Sequence, residues 1–272
     1  MKKRFIVLID FSAHSENLIK YAYDWSKQVD AELLLVHETS ILAPVLIDNE
    51  SRVGIARQIN ADALRKLKEL AGQILPPDLK VNYDVSEIYL QTTLEKYLAE
   101  PFNNLIMIGL KGTGLLKKIF MGSVATQVID RTNNIVVAMP KEISSFSHEK
   151  IFVAITEKHP LNILELNNFL SFYDNKKTSL CFFHLAKPKE KIKPIENQLK
   201  ELSKLFEDRF STTYEIYEGS SSFFDIKKVI NNRIDEILIV QKGSRHLTDQ
   251  FFRKFLINEL VFEGQTPLIV LP

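Results

Sequence analysis

LIMIGLKGTGLLKKIFMGSVATQVIDRTNNIVVAMP, residues 105 to 140, decides the reading of this chain. LIMI at 105–108 and IVVAM at 135–139 are continuous apolar runs of strand length, and between them lie a glycine-rich turn and a helical pattern near 123–131. Adding 132 to each number lays this stretch on ILIVQKGSRHLTDQFFRKFLINELVFEGQTPLIVLP, residues 237 to 272, without a gap. LIMI then falls on ILIV, and IVVAMP on PLIVLP. A repeat of that period predicts duplicated domains rather than a solenoid, whose units are far shorter.

The residues upstream of each copy follow one plan. FIVLI at 5–9 reads as a buried strand, and Leu18, Ile19, Ala22, Trp25 and Val29 recur at helical spacing behind it. LLLV at 33–36 is a second strand, and Ile55, Ile59, Ala63, Leu67, Leu70 and Ile74 predict a long helix stopped by Pro76 and Pro77. A third strand follows at 80–86, then a short helix with Leu94, Tyr97 and Leu98. In the second copy IFVAI at 151–155, LCFFH at 180–184, a helix with Leu199, Leu202 and Leu205, and YEIY at 214–217 repeat the order. Such alternation predicts an α/β fold, two tandem doubly wound parallel-sheet domains over 1–142 and 148–272. The polar stretch KEISSFSHE, 141–149, carries no apolar periodicity and reads as the linker. The apolar terminal strands IVVAM and LIVL would otherwise be exposed edges, so an edge-to-edge pseudo-dimer within the chain is expected, together with a larger homodimer.

Composition narrows the function classes. The 272 residues are 45% apolar and 25% charged, ordinary for a globular protein. A net charge of +1, from 35 Lys and Arg against 34 Asp and Glu, supplies no global field for nucleic acid or an anionic membrane, so neither is an expected partner. The one cysteine, Cys181, lies in an apolar strand pattern and fits a buried thiol in a reducing compartment. The apolar run after Lys2, Lys3 and Arg4 ends at Asp10, too short for a signal-peptide core, and the expected location is the cytoplasm.

The chemistry sits in the glycine-rich turn, where Gly109, Gly112, Gly122 and Ser123 form G-x2-G-x9-G-S. Gly109 follows a strand at the carboxyl edge, where parallel sheets bind ligands, and its missing side chain allows close approach. Gly112 can supply a turn with positive φ. Gly122 and Ser123 stand where the next helix starts, so unpaired backbone N–H groups and the Ser123 hydroxyl can converge on an anion, naturally a phosphate. Neither the Walker loop nor the dinucleotide fingerprint is present, no G-x-S-x-G elbow occurs, and the six histidines show no metal-ligand spacing. No general base can be assigned, so an enzyme is not expected, with weak ATP hydrolysis left open.

G-x2-G-x9-G-[ST] after the fourth strand resembles the ATP-binding signature of universal stress proteins. IVLIDFSAHSENLIKYA near the N-terminus, with Asp10 and Ser12 just past the first strand, and LLLVHE are similar to that family's first and second strands. The likeness covers the N-terminal half and implies an adenine-nucleotide alpha-hydrolase-like fold. It implies that Asp10 binds the ribose hydroxyls, that backbone near Glu38 and Gly109 frames adenine and ribose, and that Gly112, Gly122, Ser123 and Val124 hold the phosphates of ATP, with a divalent ion such as magnesium. A carboxylate at position 10 accepts from two vicinal hydroxyls or, alternatively, caps the helix that follows. Lys111, Lys117 and Lys118 add charge near phosphates or lie in a solvated loop. His37 and His184 recur at equivalent strand ends, which suggests a packing or backbone-bonding role.

In the second copy Gly109, Gly112, Gly122 and Ser123 become Gln241, Ser244, Lys254 and Phe255. Family-type ATP binding is not expected there, although Lys242, Arg245 and His246 place charge in the loop. The expected function is a stress-response or signalling module that binds one adenine nucleotide per chain. Nucleotide hydrolysis, adenylyl transfer and a nucleotide-free scaffold are the alternatives.

Overall fold

The computed structural model describes residues 1–40, 48–110, 123–140, 143, 146, 149–156, 160–173, 177–186, 190–218, 237–242 and 266–272. In chain order the elements are β1 (Lys2–Leu8), α1 (Ser15–Val29), β2 (Ala31–Glu38), α2 (Asn49–Ile74), β3 (Val81–Ser86), α3 (Leu90–Leu98), β4 (Phe102–Gly109), α4 (Ser123–Arg131) and β5 (Val136–Met139). They continue with β6 (Lys150–Ala154), α5 (Ile163–Leu170), β7 (Ser179–Ala186), α6 (Ile192–Phe206), β8 (Ser211–Glu218), β9 (Ile237–Gln241) and β10 (Leu268–Leu271). Every apolar run that predicts a strand forms one.

The reason the strands read as unbroken apolar runs is visible in their burial. Side chains alternate across a strand, and both faces of this sheet are covered. Phe5, Val7, Leu33, Leu35, Leu105, Met107 and Val137 belong to one core, whereas Ile6, Leu8, Leu34, Val36, Ile106, Ile108 and Val136 belong to the opposite one. Leu18, Ile19 and Trp25 of α1 and Leu67 and Ala71 of α2 close the first face; Leu94 of α3 and Ala125, Val128 and Ile129 of α4 close the second. Local chemistry sets the helix bounds. Asp48 caps α2 by accepting from the Ser51 N–H at 2.8 Å, which holds its carboxyl below the usual carboxylate range. Asp30 ends α1 in the left-handed region at φ 52°.

All ten strands form one sheet in the order β3-β2-β1-β4-β5-β10-β9-β6-β7-β8. Neighbours are parallel except at the centre, where β5 and β10 run antiparallel with Ile269 opposite Val137. The second set of five strands therefore repeats the first in mirrored order, and the apolar edges IVVAM and LIVL cover each other.

The stretch 141–149 differs from its polar reading. Its two apolar members, Ile143 and Phe146, pack on the first core, and Phe146 stacks flat on Trp25 with ring centroids 4.5 Å apart. Trp25 is fully buried and also meets Phe5, Phe169, Phe172 and Tyr173, while its indole N–H donates to the Phe172 carbonyl at 3.0 Å. Two isolated apolar residues have no period to betray them. Among the described residues, no helix is long and apolar enough to cross a membrane.

Candidate functional site

The order β3-β2-β1-β4-β5 reverses between β1 and β4, since the chain leaves β1 toward β2 and later returns to β1's other side as β4. Loops beyond the carboxyl ends of those two strands diverge and leave a crevice at the switch point. A cavity of about 530 Å³ occupies that place, within the range of small-molecule sites. Asp10 beyond β1, Glu38 at the end of β2, Gly109 at the end of β4 and Val124 in the first turn of α4 all line it. Four of the seven candidate site residues are thereby brought together. Gly112 and Gly122 lie outside the described residues, as do Lys111, Lys117 and Lys118; Ser123 begins α4, its side chain likewise outside.

The loop after β1 is held tightly. The Asp10 Oδ1 accepts from the Ser12 N–H at 3.0 Å and the Ser15 hydroxyl at 3.3 Å. Phe11 between them adopts φ 55°, a conformation that costs a residue with a Cβ on the order of 1 kcal/mol. Its ring packs on His37 at 4.4 Å, with the Lys66 ammonium over it at the same distance. Asp10 thus fixes the turn before α1 while lining the cavity. It does not cap α1 directly, for the cap residue is His14 and no side chain caps there.

His37 and His184 make the same bond. The Nδ1 of His37 lies 2.7 Å from the Ile9 carbonyl, and that of His184 lies 2.8 Å from the Ile155 carbonyl. A carbonyl only accepts, so each Nδ1 carries a hydrogen, and the His37 ring stands on the cavity wall. Each ring ties the end of one strand to the next, the backbone-bonding role their recurrence suggests.

Glu38 turns its carboxylate to α3, where Oε2 accepts from the Leu90 N–H at 3.3 Å. A negative charge at a helix N-terminus is favourable. Beside it Thr39 donates to Asn60 at 2.6 Å, and Asn60 donates to Glu87 at 2.5 Å, which lowers the Glu87 carboxyl pKa. Burial raises the phenol pKa of Tyr97 above its ordinary value, helped by its bond to Asp84 at 2.5 Å.

Gly109 is not required by protein packing alone: a Cβ there would lie 3.7 Å from the His14 Cβ, an ordinary contact. What a larger side chain would occupy is the cavity itself. The second half shows this at Gln241, the residue that corresponds to Gly109. Gln241 Oε1 accepts from the Asn162 N–H at 3.0 Å, and Nε2 donates to the Lys242 carbonyl at 3.1 Å and to the Pro272 carbonyl. Asn162 is the cap residue of α5, as His14 is of α1. The amide therefore satisfies backbone groups of this strand end and of the start of α5 from within the chain. Ser244, Lys254 and Phe255 lie outside the described residues.

Several wall residues escape the sequence reading, among them Tyr89, Gln127 and Arg131. For the last two a signal exists, because 123, 127 and 131 share one helical face. Tyr89 precedes α3 and carries no motif. Among the described residues no cluster of His, Cys, Asp or Glu could hold a metal ion.

The model of the universal stress protein family matches residues 1–140. No curated protein matches the sequence. Among solved structures, a universal stress protein from Archaeoglobus fulgidus DSM 4304 aligns with TM-score 0.61 at 14% identity, covering 98% of this chain and 97% of its own. A functionally unknown protein from Pseudomonas aeruginosa PAO1 aligns with TM-score 0.55 at 13% identity, covering 99% and 92%. At such identities the likeness concerns the fold.

Proposed function

The chain belongs to the universal stress protein family, which supports a stress-response role, and from that premise we propose that its N-terminal half binds ATP or another adenine nucleotide. The observation that carries this reading is the cavity of about 530 Å³ at the β1/β4 switch point, where Asp10, Glu38, Gly109 and the first turn of α4 converge. Apolar Val36 and Ile108 in its wall suit a base, and Asp10 suits the ribose hydroxyls. Gly112, Gly122, Ser123 and Val124 suit the phosphates, since a helix N-terminus favours an anion. A divalent ion such as magnesium accompanies the triphosphate.

The second half contributes no nucleotide site in this reading, because Gln241 occupies the equivalent strand end. One nucleotide binds per chain, and its occupancy biases a partner surface or a homodimer in the cytoplasm. In this reading the protein acts as a binding module rather than through turnover.

Mass spectrometry of small molecules released from freshly purified protein tests the reading, joined to calorimetric titration with ATP. The expected result is one adenine nucleotide per chain, lost in Gly122→Lys. Protein that releases no nucleotide and takes up none overturns it. Light scattering tests the homodimer, and a monodisperse monomer rejects it.

A further inference from the structure

The feature of the cavity wall that the proposed function leaves unused is Tyr89. It stands immediately before α3, at the position where Ser, Thr, Asp or Asn would cap the helix. Its side chain performs no cap. The Glu38 carboxylate takes the Leu90 N–H instead, so the tyrosine is not needed to finish the helix.

The backbone at this point is nevertheless anchored on both sides. Ile88 N–H donates to the Ser86 hydroxyl at 3.0 Å, and Thr93 N–H donates to the Tyr89 carbonyl at 3.2 Å. Tyr89 lines the cavity yet stays 80% exposed, and among the described residues no ring contact or side-chain hydrogen bond engages it. A large flat side chain on a fixed backbone, with no ring or hydrogen-bonding partner among the described residues and a cavity beside it, has a face to offer to a planar group.

Resting on the adenine-nucleotide reading above, we infer that Tyr89 stacks on the base of the bound nucleotide and covers the open side of the cavity. Besides Tyr89 the rings among the lining residues are the imidazoles of His14 and His37, and the His37 ring is already bonded to the Ile9 carbonyl and packed on Phe11. Stacking recognises the plane of a base rather than its edge, so Tyr89 contributes affinity for the nucleoside part and is indifferent to the number of phosphates.

The test is calorimetric titration of wild type, Tyr89→Phe, Tyr89→Leu and Tyr89→Ala with ATP and with adenosine. Tyr89→Phe is expected to bind within about twofold of wild type, whereas Tyr89→Ala and Tyr89→Leu weaken both ligands by a common factor of about tenfold, in the range of base–aromatic stacking. Thermal unfolding of all four proteins should coincide, because the side chain is exposed. If wild type binds ATP and the Ala and Leu variants match it, the role of Tyr89 is overturned while the nucleotide reading stands. If Tyr89→Phe falls as far as Tyr89→Ala, the hydroxyl is at work and stacking is rejected. If wild type binds neither ligand, the adenine-nucleotide reading itself fails, and the stacking role with it.

Discussion

At the end of β4 the chain has Gly109 beside an open cavity; at the end of β9 it has Gln241, whose amide reaches the start of α5 and the carbonyl of Pro272. Among the described residues the two positions share much of their setting. Each lies on a strand next to the first strand of its half, in the same register with parallel neighbours. Each faces a helix start preceded by a strand, and one residue past that strand a carbonyl accepts from a histidine Nδ1. Gln241 in place of Gly109 is one of four replacements between the two strand ends, the others being Ser244, Lys254 and Phe255. At the second strand end the backbone groups are satisfied from within the chain, by the Gln241 amide.

The largest effect is expected where the halves are joined rather than where they differ. Trp25→Ala removes a fully buried indole that packs on rings from both halves and on Phe146, and should cost about 3–5 kcal/mol of stability in urea unfolding. A loss below about 1 kcal/mol would mean that the aromatic cluster does not couple the halves. Gly109→Gln imposes on the first half the arrangement of the second. ATP affinity by calorimetry should fall by more than about 100-fold, about 2.7 kcal/mol, with the fold retained because a Cβ is accommodated there. Undiminished binding would show that Gln241 is not what separates the two strand ends.

Cys181 sharpens the comparison at a conserved geometry: it stands three residues before His184, as Leu34 stands three before His37. Burial pushes its thiol up to about 11. The folded protein keeps the proton that the unfolded chain releases near pH 9, so this group's stabilisation is fully present below that pH. It is lost as pH rises toward the folded value. At pH 8 iodoacetamide should alkylate the native thiol up to about 100-fold more slowly than the urea-unfolded one. Equal rates would remove Cys181 from the core. The smallest effect belongs to Gln241→Gly, which forfeits the amide's bonds and should cost about 1–2 kcal/mol. A more stable variant would show that the amide fills its place at a cost.

Much of this was legible before any coordinate. The strands were, because a parallel sheet covered on both faces favours near-continuous apolar runs, as in Phe5 to Ile9. The bounds of α2 were legible in part, since Pro76 and Pro77 forbid its continuation. Of the site, Gly109 could be named from its place at the carboxyl edge of a strand, and Asp10, Glu38 and Val124 only from the family resemblance of the motifs around them. Phe146 could not, because a lone aromatic in a polar stretch looks like linker until Trp25 is brought beneath it. Nor could Tyr89, whose place on the wall depends on where β3 ends relative to β1.

The sequence by itself determined the alternation of strands and helices, the repeat at an offset of 132, and the exchange of Gly109 for Gln241, because side-chain period and backbone freedom are local properties. Only the tertiary structure decided that β5 and β10, expected to meet at their edges, do so antiparallel with Ile269 opposite Val137, that Asp10 and Gly109 line one cavity, and that the Gln241 amide bonds Asn162 and Pro272. Those facts depend on which distant strands lie side by side, and no local pattern records a neighbour a hundred residues away.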